Sequence, residues 1–335
     1  MKDDRLRTIL WPMTMLLAAC HPASFAPHDA GTGPGAWTVR RPLDQERFEA
    51  AAASIHGKVY FFGGISDVCP AASPCTVDRV DAYDPGTDSW SPAPPIPPLA
   101  PRHHLALAVL NDVVYLVGGF VGIIGAAQSF QPIATTWAFD GTAWKRLADA
   151  PLARGAATAQ TIDGKIYVAG GGTTEPGALH LFTVYDPARD SWTTLSPMPT
   201  AREHVASCML GGQLIVIGGW RNDKSVVAAV EAYDPVRGSW RVLAPLRTAR
   251  GGLGAAVVGG TCFAVGGEEW AGPEPGTFAD VQGLVSLDAS WTDFAPLPRA
   301  RHGLGVVALN GAIYAIGGGP TRANSYTVEV DSFIP

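Results

Sequence analysis

Several ionisable side chains in this 335-residue sequence stand just behind an arginine. Glu49, His104 and His204 each follow one by two residues, behind Arg47, Arg102 and Arg202, and His103 and His302 follow Arg102 and Arg301 by one. An imidazole titrates near neutral pH and can shuttle a proton. A nearby carboxylic acid could complement it in opening a sugar ring. A second set joins Trp220, Arg221 and Asp223 with Glu268, Glu269 and Trp270. Its indoles can stack on a sugar ring or a peptide side chain, while the charges fix the orientation of hydroxyl, amine or carboxylate groups. No tight metal-ligand motif, activated-serine arrangement or paired-acid spacing accompanies either set, so neither a metal nor a cofactor is expected.

The arginines belong to a larger register. Arg47, Arg102, Arg154, Arg202, Arg250 and Arg301 each lie 16 residues before a glycine pair: Gly63 and Gly64, Gly118 and Gly119, Gly170 and Gly171, Gly218 and Gly219, Gly266 and Gly267, Gly317 and Gly318. The pairs are 48 to 55 residues apart. Trp37, Trp144, Trp192, Trp240 and Trp291 precede their arginines by 10 residues, and Trp90 by 12. An aspartate follows each pair, at Asp84, Asp140, Asp186, Asp234, Asp288 and Asp331. Four residue classes in one order, six times over, define a repeat of the length that builds propeller blades.

Each unit reads as four short strands. A run of small and branched residues follows the arginine, as in Gly251 to Val258, then a turn and a strand such as Lys165 to Ala169. A third strand closes at Asp-Pro and a fourth begins at the tryptophan. Radial sheets crowd toward their axis, which accounts for the small residues of the first strand. The glycines are expected to let the second strand leave its sheet sharply while neighbouring backbone approaches. The equal placement of the arginines suits a recurring inter-blade hydrogen-bonding role. Only one strand, Tyr326 to Val330, is evident after Gly318, whereas Trp37 to Arg41 precedes the first arginine. The N-terminal strand is therefore expected to complete the last sheet and remove the open edge.

With its Gly-Gly, Tyr-Asp, tryptophan and arginine positions, the chain resembles the kelch-repeat propellers over about residues 37 to 331, with Phe139 and Leu287 as departures at the tyrosine position. The resemblance implies an all-β, six-bladed kelch-type β-propeller closed by an N-terminal outer strand. It also implies that the loops after the glycine pairs gather on one face with those leading into the arginine strand. That would bring the Trp220 and Glu268 segments together across adjacent blades. Some kelch binding modules contact peptides from the position two residues after the arginine. Relatives include protein-binding modules, galactose-oxidase-like enzymes and a six-bladed bacterial sialic acid mutarotase. The copper constellation of the oxidase type is not found, and the expected function is recognition of an envelope or extracellular protein or glycan. Sugar mutarotation by Glu49, His104 and His204 is the alternative.

Composition sets the surroundings. A formal charge of −6 and the lack of a basic cluster with interleaved aromatics argue against a nucleic-acid partner. The segment MKDDRLRTILWPMTMLLAAC reads as an export signal over residues 1–19 ending in a lipobox-like Leu17-Ala18-Ala19-Cys20, which resembles that of bacterial lipoproteins. Residues 20–36 would then tether a propeller of residues 37–335 to a membrane through a lipid on Cys20. Cys69 and Cys75 could form a disulfide in an oxidising compartment, while Cys208 and Cys262 read as small packing residues.

Overall fold

Strands made of small residues can approach one another closely, and here six of them surround one axis. They are Ala51–Ile55, Ala106–Leu110, Gly155–Ile162, Ala206–Leu210, Gly254–Val258 and Gly305–Leu309. In the computed structural model, which describes residues 33–69, 74–97, 101–122, 130–174, 177–270 and 276–335, each is the inner strand of a four-stranded antiparallel sheet. Blade 1 continues outward through Lys58–Phe62, Val80–Asp84 and Ser89–Ala93, and blades 2 to 5 repeat that order. Residues 1–32, with the export signal and Cys20, lie outside the described residues. Among the described residues no helix is long and apolar enough to cross a membrane.

Blade 6 is closed by the two ends of the chain. Gly305–Leu309, Ala312–Ile316 and Val330–Ile334 are joined by the N-terminal strand Ala36–Val39, with Trp37 opposite Phe333. The C-terminal strand thus lies four residues beyond the expected Tyr326 to Val330. Its register follows Asp331, which sits opposite Ala315 and accepts a 2.5 Å hydrogen bond from Arg301 Nη2. Asp81 and Glu231 hold the equivalent place for Arg47 and Arg202. Asp331 is therefore a partner of a buried guanidinium and not the turn residue that its spacing suggested. In blade 5 the tyrosine position is filled by Leu284, opposite Cys262, and not by Leu287.

Apolar packing lies between the blades. Ile215, Ile217 and Ala232 of blade 4 meet Cys262, Ala264, Leu284 and Trp291 of blade 5, for example. All six repeat tryptophans donate an indole hydrogen bond across a blade boundary: Trp37 to Ala295 O, Trp90 to Arg41 O, Trp144 to Pro94 O, Trp192 to Ala148 O, Trp240 to Ser196 O and Trp291 to Ala244 O, at 2.8 to 3.3 Å.

The glycine pairs form a second set of ties. The first glycine of each has φ between 59° and 65°, and a Cβ on it would press on the arginine carbonyl of the next blade. The second glycine donates its N–H to that same carbonyl at 2.8 to 3.1 Å, from Gly64 to Arg102 around to Gly318 and Arg47. The arginine side chains themselves turn inward and are 0–2% exposed. Arg202, for instance, donates to Gly218 O, Ala229 O, Val216 O and Glu231, all within its own blade. The inter-blade bond thus belongs to the arginine backbone, while the guanidinium secures the sheet that carries it.

Among the described residues two disulfides are present, Cys69–Cys75 and Cys208–Cys262. The second differs from the expected packing role. Cys208 on the inner strand of blade 4 faces Cys262 on the second strand of blade 5 with a Cα separation of 6.1 Å, within bonding reach. A separation of 54 residues carries no sign of that proximity.

Candidate functional site

One residue from each blade meets at the loop-face end of the central channel. Two places after the arginine stand Glu49, His104, Ala156, His204, Gly252 and Gly303, and all six have φ between 52° and 63°. That left-handed turn aims each N–H at the preceding blade. Glu49 N donates to Gly303 O, His104 N to Glu49 O, Ala156 N to His104 O, His204 N to Ala156 O, Gly252 N to His204 O and Gly303 N to Gly252 O, at 2.7 to 3.0 Å. The result is a closed ring of six backbone hydrogen bonds around the axis. Glycine adopts this conformation freely, whereas a side chain there costs of order 1 kcal/mol. Three of the four positions that retain a side chain carry an ionisable one.

The ring presents these groups at the mouth of a channel of about 580 Å3 that the inner strands line. His104 Nε2 lies 3.2 Å from Glu49 Oε2 and 2.8 Å from His204 Nε2. Glycine makes the room, because a Cβ on Gly303 would sit 2.7 Å from Glu49 Oε1. The residues one place after the arginine and those directly after the glycine pairs add a second layer, bridging as Phe48 with Ile65, His103 with Phe120, Glu203 with Trp220, Gly251 with Glu268, and His302 with Gly319.

His302 in this layer is an imidazolium by its surroundings. Its Nε2 faces Thr321 O at 3.1 Å and Ala323 O at 3.2 Å, which only a donor satisfies. Its Nδ1 lies 3.1 Å from Glu268 Oε1 and 3.7 Å from Glu49 Oε1, as ion-pair contacts out of hydrogen-bonding alignment. Burial opposes the charge, but these two carboxylates outweigh it and raise the pKa to about 10. Burial raises the pKa of Glu49, an effect that His302 partly offsets. Burial and then the neighbouring histidines hold His104 well below the usual imidazole range. Burial, with Lys224 next, lowers His204 to about 3. A carboxyl pushed toward its protonated form thus stands beside two neutral imidazoles, the division of roles that acid–base chemistry needs.

The remaining sequence-selected residues divide. Trp220 is 8% exposed and stacks on His204 with centroids 4.1 Å apart, so it is a wall of the ring site and not a free loop anchor. Glu268 is buried against His302. Trp270 remains 44% exposed and meets Trp220 edge-on at 5.8 Å. Arg221 and Asp223 are exposed, Asp223 being engaged by Ser225, and Glu269 is half-buried in the short strand that it shares with Glu268. Trp220, Glu268 and Trp270 of the second set therefore join the first, whereas Arg221, Asp223 and Glu269 make no contact with it among the described residues. Sequence reading missed Glu203, whose Oε1 is 3.9 Å from His204 Nδ1, and the aromatic wall of Phe120 and Phe130 beside His103 and His104. Glu203 and Phe120 could have been found by reading the two adjoining repeat positions across all six units.

Comparison with known proteins agrees with this architecture. A family model described as the KLHDC2/KLHL20/DRC7 Kelch-repeats domain matches residues 139–319, more than half of the chain, and a Kelch motif model matches residues 46–97. Similar proteins include Kelch-like protein terF of Aspergillus terreus, 27% identical over 41% of this chain and 30% of its own length. Kelch-like protein 25 of Xenopus tropicalis is 30% identical over 46% of this chain and 24% of its own length. The match thus spans under a third of either relative. Among solved structures, one described as "Structure of YjhT" superposes with a TM-score of 0.73 at 15% identity, covering 87% of this chain and 95% of that one, a likeness of fold. With the repeats, the ring closure and a family model over more than half its length in agreement, the chain belongs to the kelch-repeat family.

Proposed function

We propose that the protein is a sugar isomerase of the mutarotase type, acting on a reducing sugar at the mouth of the channel. The observation that carries this reading is the convergence of Glu49, His104 and His204 on one backbone ring. Interconverting anomers needs a proton delivered to the ring oxygen as the bond from the anomeric carbon to that oxygen breaks. It also needs a proton removed from the anomeric hydroxyl, which becomes the carbonyl. Rotation about the adjoining carbon–carbon bond and the reverse transfers close the other anomer. Glu49 suits the acid, since burial favours its protonated form, and His204 the base, since its imidazole is neutral. His104 lies between them and can pass the proton back. Because the kelch resemblance extends to a six-bladed sialic acid mutarotase, sialic acid belongs among the first sugars tested.

Anomeric exchange followed by NMR, in chelator-containing buffer with a panel of reducing sugars, tests the proposal. Exchange should exceed the uncatalysed rate and fall by about 10²- to 10⁴-fold in Glu49→Gln and His204→Asn. No acceleration with any sugar would overturn it. Recognition of a protein or glycan without chemistry is the second reading, favoured by the exposed Trp270 and Phe130 on the same rim. Saturable capture without exchange, weakened in Trp270→Ala, would support it instead.

A further inference from the structure

We infer that Glu49, His104 and His204 also form a binding site for a divalent transition-metal ion of the zinc class, with its remaining coordination open to the mouth of the channel. Their donor atoms all lie within 4.8 Å of one another. His104 Nε2 is 3.2 Å from Glu49 Oε2 and 2.8 Å from His204 Nε2. Ligands held about 2.0–2.1 Å from an ion stand roughly 3.3 Å apart in a tetrahedron and about 2.9 Å apart at right angles. The two separations that His104 makes thus lie close to those of a coordinated pair. The three residues come from blades 1, 2 and 4 and are fixed by the backbone ring, so the donor set exists before any ion arrives.

What lies behind the donors points the same way. His104 Nδ1 is held by His103 Nδ1, and Glu49 Oε1 faces His302 Nδ1 at 3.7 Å. His204 Nδ1 is buried without a hydrogen bond, with Glu203 Oε1 3.9 Å away. Metal-bound histidine directs its second nitrogen toward such a carboxylate, and an ion on Nε2 would keep the proton on Nδ1, the nitrogen on the Glu203 side of the ring. The adjoining set of Glu49, Glu268 and His302 is equally compact but unsuitable, because His302 Nε2 is committed to two backbone carbonyls and Nδ1 holds the proton of the imidazolium that faces Glu268 and Glu49. Two imidazoles with one carboxylate favour zinc, cobalt, nickel or copper over magnesium or calcium.

The inference rests on donor geometry and not on the sugar reading. Chelator-treated protein titrated with Co²⁺ should develop a saturable visible absorption at one equivalent, which Zn²⁺ displaces. Glu49→Gln, which is isosteric, and His204→Asn, whose new residue tolerates left-handed backbone, should each weaken binding more than about tenfold. Thermal melts without metal establish that the variants are folded. No cobalt spectrum, or affinity unchanged in both folded variants, would overturn the site. Exchange activity is measured separately in chelator, so loss of one result leaves the other readable.

Discussion

His302 shows how one buried residue sets the character of its neighbours. Facing Glu268 and Glu49 on one nitrogen and two carbonyls on the other, it holds a proton that an unfolded chain would release at its ordinary pKa of 6.5, whereas in the fold the value is about 10. Its charged form therefore contributes stability in full below pH 6.5, and that contribution is lost as pH rises to 10. Melting temperatures of the wild type and His302→Gln should differ most near pH 6 and converge toward pH 10. A constant gap would show that the imidazolium is not what stabilises this corner. The ionisable part of the site was legible because position within a repeat predicts position around an axis: Glu49, His104 and His204 share one register and meet. The two nitrogens at 2.8 Å were not legible, since 100 residues separate His104 from His204 and only ring closure brings them together. Trp220 was legible as an aromatic near the site, but its stacking on His204 depends on Gly251, where a Cβ would meet the indole.

At the scale of the element, the glycine pair lets one strand both end and bind its neighbour. Gly218 has φ of 61°, and a Cβ there would press on Arg250 O, the atom to which Gly219 donates. Gly276 has an ordinary backbone and nothing within 4 Å of its would-be Cβ. Gly218→Ala should therefore cost about 2–4 kcal/mol through left-handed strain and a displaced blade contact, whereas Gly276→Ala should be close to neutral. Denaturant unfolding of the two variants checks this, and equal midpoints would remove the geometric role assigned to the pair. Inner strands, turns and blade number were readable from the sequence because each follows from local side-chain size or backbone freedom. The last strand was placed four residues early for a different reason. Its register is set by Asp331 reaching the buried Arg301, and a spacing rule cannot separate that aspartate from one that caps a turn.

Across the whole molecule, closure is repeated at several radii. The innermost ring is made of backbone bonds between residues such as Gly303 and Glu49, the next of glycine N–H groups on arginine carbonyls, and the outermost of tryptophan indoles. Blade 6 is in addition zipped by Ala36–Val39. The Cys208–Cys262 bridge adds a covalent link between blades 4 and 5. Closing a loop of this length removes unfolded-state entropy worth about 4 kcal/mol in the chain-entropy treatment. Such a bond persists in an oxidising compartment, which agrees with our proposal that residues 1–19 direct export and that Cys20 receives a lipid. Expressed with its leader in a lipoprotein-processing bacterium, the mature chain should begin at an acylated Cys20 and weigh four hydrogens less than the fully reduced form, two for each disulfide. Cys208→Ala with Cys262→Ala should lower the melting temperature by several degrees, while loss of Cys69–Cys75, whose sequence separation is only 6, should lower it less. A mature chain with free thiols at 208 and 262 would defeat the covalent link, and an unacylated start elsewhere would defeat the anchor, each result leaving the non-covalent closure of the six blades untouched.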